Sequence, residues 1–159
     1  MSDRQRLADL KKLLDLLYEK LGAYQKELII NYDLDVQFKL KQRIKREILP
    51  EIRKYEREYW ELYPQEAIII SEQEAETQLA QVEQAVESIQ QIPSTEYPPE
   101  LIPLLQDIQV KLEDLNKPAS AKLKVALPLI PAIAAYELEM KTDGLMYKAW
   151  KSMKGVLRR

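Results

Sequence analysis

The chain has 159 residues, with 24 basic and 26 acidic side chains giving a net charge of −2, and it contains neither cysteine nor histidine. That length suits one ordinary domain or two small helical ones. The missing residue types exclude disulfides, thiolate or imidazole catalysis, and zinc fingers.

Only three glycines and one phenylalanine occur, and leucine, isoleucine, glutamate, lysine and glutamine abound. Unbranched side chains lose little rotamer freedom in a helix, and few glycines are on hand for hairpin turns, so an all-α fold is expected. The opening "MSDRQRLADLKK" is charged and has no apolar run of signal-peptide length, which makes the cytoplasm the expected location.

The first element is regular. Leu7, Leu10, Leu14, Leu17, Leu21, Tyr24 and Leu28 alternate steps of three and four, the pattern of a coiled-coil seam, with Leu13 and Ile29 widening it. A helix from Asp3 to Ile30 would run about 40 Å and needs a partner helix to be stable. In "NYDLD", Asn31 can end that helix in a left-handed conformation and Asp33 can cap the next one. The second helix carries Leu40, Ile44, Ile48, Ile52, Tyr55, Tyr59 and Leu62 as its stripe. Pro50 lies inside it and predicts a kink or a break. Residues 1–63 are therefore read as a long antiparallel, coiled-coil-like helical hairpin. Its seam is assigned to Leu14, Leu17, Leu21, Ile44, Ile48 and Ile52.

Residues 64–159 are read as a C-terminal helical domain, a small bundle. Ser71 followed by Glu74 makes a capping box for a third helix, whose apolar positions are Ala75, Leu79, Val82, Val86 and Ile89. The proline-rich "QIPSTEYPPE" precedes a fourth helix that starts at Pro98 or Pro99 and runs to about Leu115, with Leu101, Leu105, Ile108, Leu112 and Leu115 on one side. A last amphipathic segment after Thr142 has Leu145, Trp150 and Met153 as its apolar residues. Its exposed side carries Lys148, Lys151, Lys154, Arg158 and Arg159.

Between them lies "KVALPLIPAIAAYELEM". Its apolar run, Val125 to Tyr136, is cut by Pro128 and Pro131 and followed by Glu137 and Glu139. A spanning helix needs about 20 apolar residues, so this segment, 123–140, is expected to be a proline-broken core. An alternative is a membrane-active effector that releases 125–136 into lipid. Charge is also partitioned: Glu61 to Leu115 holds twelve acidic residues and the single basic Lys111, whereas Lys117 to Arg159 holds nine basic and three acidic. The middle and the tail should attract one another.

Few candidates for chemistry emerge. Glu72 with Glu76, and Glu83 with Glu87, lie one helical turn apart, but helical carboxylate metal sites normally add histidine, so no metal and no cofactor is expected. Lys39, Lys41, Arg43, Lys45 and Arg46 form a basic face without an aromatic platform, so no specific nucleic-acid binding is expected. An accessory role in a nucleic-acid machine is the weakest alternative. No phosphate loop or nucleophile elbow appears, and the protein is expected not to be an enzyme. Tyr55, Tyr59, Trp60 and Tyr63 in "YEREYWELY" cannot all face one seam. They are assigned as an exposed aromatic docking end.

Two stretches carry a resemblance. "DLDVQFKLKQRIKREILPEIRKYEREYWEL" resembles helical hairpins at the ends of bacterial, chiefly cyanobacterial, signalling and conflict-system proteins, where they precede caspase-like, TIR or STAND-type NTPase modules. "AKLKVALPLIPAIAAYELEMKTDGLMYKAWKSMKG" is similar to a C-terminal segment of the same protein pool. The resemblance takes in the whole hairpin, and hairpin and tail together cover about two thirds of the chain. The resemblance implies an effector-associated adaptor that acts in trans, because no effector or NTPase module is attached, and it transfers no catalytic residues. The expected partner is protein, a second copy of the chain included, and peripheral membrane contact is not the favoured reading.

Overall fold

The computed structural model describes residues 2–140 and 144–157, apart from the side chain of Ser94. Every regular element among these residues is helical, in two compact units, Met1–Leu62 and Tyr63–Arg159.

The first unit is the hairpin. Helix α1 spans Asp3–Ile30 and is started by Ser2, whose hydroxyl accepts from the Gln5 N–H. Its return strand of helix is α2, Leu34–Arg43, a π-helical turn over Ile44–Ile48, and α3, Leu49–Leu62. Helix α1 packs along α3 and the π-turn, and near its end meets α2. Leu10, Leu14 and Leu21 are buried against Ile44, Ile48, Leu49 and Ile52, which form the hydrophobic interior of this unit. Arg6 pairs with Glu58 at 2.7 Å across the open end. The guanidinium hydrogen bond holds the Glu58 carboxyl below its ordinary range.

Two local expectations change. Asn31 is extended rather than left-handed (φ −102°). It ends α1 through its side chain, which donates to Glu27 and accepts from the Asp33 N–H, while Asp33 caps α2 at the Asp35 and Val36 N–H groups. Leu13 and Ile29 do not widen the seam; both are exposed. At Pro50 the helix neither breaks nor stops. The Leu49 N–H bonds to the Ile44 carbonyl, closing one wide turn immediately before the proline. A wider turn relieves the crowding between a proline ring and the preceding carbonyls.

The second unit is a bundle of five helices, α4 to α8. Helix α4, Glu72–Gln90, begins with the Ser71/Glu74 capping box and buries Ala75, Leu79, Val82, Val86 and Ile89. Helix α5 is Leu101–Leu112. It starts after Pro98 and Pro99, which lie in the preceding turn, and it stops before Leu115. Asp114 turns the chain by accepting from the Asn116 N–H, and Leu115 is exposed rather than packed. Helices α6, Ala119–Ala126, and α7, Ile130–Glu137, are separated by the turn that holds Pro128 and bend by 59°. Pro131 occupies the first turn of α7, where its missing N–H has no intrahelical partner to lose. Helix α8, Leu145–Leu157, packs on α4 and α7 and buries Met146, Ala149, Trp150 and Met153. Thr142, Arg158 and Arg159 lie outside the described residues.

Candidate interaction surface

The hairpin seam is built from residues that recur on one face of each helix. Leu14, Leu21, Ile44, Ile48 and Ile52 are buried and Leu17 is half-buried. The six residues meet inside one chain, so the seam's apolar surface is already covered by the hairpin itself.

The aromatic end is arranged differently from an exposed docking patch. Tyr59 and Trp60 are buried and stack edge to face at 4.9 Å. Tyr55 is half-buried, and Tyr63, also half-buried, belongs to the second unit. Packing removed these rings from the surface because the stripe of the second hairpin helix is wider than Ile44, Ile48, Ile52 and Tyr59 alone. Leu49, Glu56 and Trp60 join it.

Glu56 is the residue that sequence reasoning missed. It is fully buried and accepts a 2.8 Å hydrogen bond from the Tyr18 hydroxyl. A buried carboxylate must be hydrogen-bonded or paired to be tolerated. The signal was present: Leu40, Ile44, Ile48, Ile52, Glu56 and Trp60 recur at a strict spacing of four, and a charged residue in the middle of such a row is an inward-facing one. Each step of four overshoots a straight α-helix by about 40°, and the π-turn takes back part of that drift.

Two further glutamates act as helix starters in the second unit. Glu72 accepts from both the backbone N–H, at 3.2 Å, and the hydroxyl of Ser120 in the first turn of α6. The Ser120 hydroxyl lowers the Glu72 pKa below the ordinary carboxylate value. Glu137, buried at the end of α7, accepts from the Met146 and Tyr147 N–H groups in the first turn of α8. Neither helix starts with a capping side chain of its own: α6 follows Pro118 and α8 follows Gly144, which has φ +69°. Glu76, Glu83 and Glu87 are exposed on α4. Among the described residues no group of acidic side chains is placed to hold a metal ion.

The long apolar run is interior. Ala126, Leu127, Leu129, Ile130, Ile133, Ala134 and Ala135 are all buried. Among the described residues no single helix is long and apolar enough to cross a membrane, and only the bent α6–α7 pair reaches the required length and composition. A groove of this unit, about 520 Å³, has Gln90, Gln91, Gln106 and Gln109 around Tyr97 and Leu105.

Single apolar side chains stay exposed in the second unit, Ile69, Val110 and Leu115 among them, whereas the hairpin exposes them in groups. Leu13 and Leu16 lie on the outer side of α1. Ile29, Ile30, Tyr32, Leu34 and Phe38 crowd the turn, and Lys39, Lys41, Arg43, Lys45 and Arg46 follow directly, every one exposed. A turn normally carries polar residues, and that contrast in "LIINYDLDVQF" is the sequence signal for this surface. No family model, curated protein or solved structure matches the chain.

Proposed function

We propose that the protein is a non-enzymatic helical interaction module, an adaptor that brings protein chains together through its hairpin in a bacterial signalling or conflict system. The supporting observation is the division of labour on α1. Its inner leucines, Leu10, Leu14 and Leu21, are used up within the chain, while Leu13 and Leu16, three residues apart, remain exposed on the outer face at 37% and 64%. An exposed pair of leucines on a long preformed helix is a ready anchor for another helix, because little ordering entropy remains to be lost on contact. The system in which it acts is suggested by the likeness of the hairpin and tail phrases to effector-associated modules.

Assembly through the inner seam would have to dismantle the hairpin, since Ile48 is only 1% exposed. The outer face is therefore the place to test. Light scattering of the full-length protein across a wide concentration range should give a defined multiple of the 18.7 kDa chain mass. Leu13→Glu with Leu16→Glu should return it to the monomer with helicity unchanged. A wild-type monomer at every concentration would overturn self-assembly through the hairpin.

A further inference from the structure

We propose that the tip of the hairpin, residues 29–38, is a docking element for the surface of an anionic lipid bilayer. The tip exposes five large apolar side chains in ten residues: Ile29 at 76%, Ile30 at 59%, Tyr32 at 88%, Leu34 at 78% and Phe38 at 64%. They sit on a turn held rigid by its own hydrogen bonds, with Asn31 bonded to Glu27 and Asp33, and Gln37 donating to the Asn31 carbonyl at 2.7 Å. Their exposure therefore belongs to an ordered surface. Contiguous apolar surface on a folded chain marks a place of contact.

The charges behind the tip select the occupant. Leu34, Phe38 and Lys41 stand at i, i+4 and i+7, on one face of α2. Lys41 is about 4.5 Å further along the axis than Phe38. That offset matches the acyl boundary and the headgroup layer of a membrane, where apolar side chains enter about 5–10 Å. Lys39, Arg43, Lys45 and Arg46 follow, all exposed. Lys39 and Lys41 lie about 8–10 Å from Leu34 along the axis, within about one Debye length of an anionic surface placed at the tip, and Arg43, Lys45 and Arg46 stand further back and feel it more weakly. The two acidic residues of the turn lie at the start of α2, and Asp33 spends its carboxylate on the Asp35 and Val36 N–H groups. Tyr32, the most exposed of the apolar five, is of the type that favours the interfacial layer.

A second copy of the chain fits this surface poorly, because two tips facing each other would bring their lysine and arginine rows together. A bilayer asks for no matching groove, and its negative charge complements the row.

The test is co-sedimentation of the full-length protein with vesicles of mixed phosphatidylserine and phosphatidylcholine, beside vesicles of phosphatidylcholine alone. The wild type should pellet with the mixed vesicles and be released by salt. Leu34→Ser with Phe38→Ser should weaken binding by about tenfold or more, and Lys41→Glu with Lys45→Glu should do so comparably. Because all four positions are exposed, both variants should melt as the wild type does. Absence of wild-type binding to the mixed vesicles would overturn the proposal. So would binding that survives both variants, which would move the lipid contact elsewhere, for example to residues 125–136. A lipid-free dimer that Leu34→Ser with Phe38→Ser converts to monomer would assign the tip to a second copy instead.

Discussion

Glu137 and Glu72 show single residues deciding where helices begin. A helix leaves its first N–H groups without partners, and an acidic side chain there also meets the positive end of the helix dipole. In α8 both needs are met by one carboxylate from the preceding helix, at 3.1 and 3.0 Å, while Gly144 supplies the positive φ that turns the chain between them. Removing the carboxylate strands two N–H groups in a region closed to water. Glu137→Ala should therefore cost about 2–3 kcal/mol of stability, read by urea unfolding; a cost near zero would mean that water replaces the cap. This cap was not legible in the sequence. The Ser71/Glu74 box was, because both partners lie within one turn and their spacing is diagnostic. Glu137 and Met146 lie nine residues apart across a reversal of the chain, and no local pattern records that reversal. The same limit hid Glu72, which reads as one more solvated glutamate until Ser120 is placed beside it.

At the scale of elements, the hairpin was legible in its helix limits and in its seam, because a heptad pattern states both the period and the buried face. Pro50 predicted trouble in the second helix without saying which kind. The π-turn over Ile44–Ile48 is the form it takes, and it lets one helix direction persist from Leu34 to Leu62. Deleting exposed Lys45 would remove the extra residue that the wide turn absorbs and close an ordinary α-helical turn, with Ile52, Glu56, Tyr59 and Trp60 close to their present face but Pro50 crowded against the turn before it. We expect that deletion to destabilise the protein by about 3 kcal/mol, the scale of a proline inside an α-helix, as a lower thermal midpoint with helical content retained. A midpoint unchanged from the wild type would show that the wide turn has no role in seating the proline. The proline pair of α6 and α7 works to a different end. Pro128 and Pro131 turn an apolar segment that could have run straight into two short helices, α7 buried at every position but Tyr136 and α6 buried at Leu123 and Ala126.

At the scale of the whole molecule, the chain is two separately cored units. The first has its core in the α1–α3 seam, and in the second α4 packs on α8, α6 and α5 while α7 packs on α8 and α5. Units with their own cores are expected to fold alone. A fragment of residues 63–159 should therefore melt cooperatively with helical content in proportion to its length, measured by circular dichroism. A fragment without a cooperative transition would show that the bundle depends on the hairpin. The opposite charges of the middle and the tail are consistent with the packing of α8 on α4, the pair joined by Gln78 and Ser152. Composition revealed the helical class. The exposed apolar groups of the hairpin, Leu13 with Leu16 and the tip, follow only once it is known which leucines and isoleucines its interior has consumed.

The joining of α4 to α8 has a consequence for synthesis. Gln78 and Ser152 are separated by 74 positions in the chain. At roughly 5–20 residues per second, a ribosome takes about 4–15 s to pass from one to the other. Throughout that interval the apolar face of α4 has been made and the helix that covers it has not. The proline-broken segment emerges within the same interval, and it too waits for Trp150 and Met153. The nascent second unit thus exposes apolar segments for longer than the hairpin, which is complete by Leu62 and can close while the remainder of the chain is still being translated.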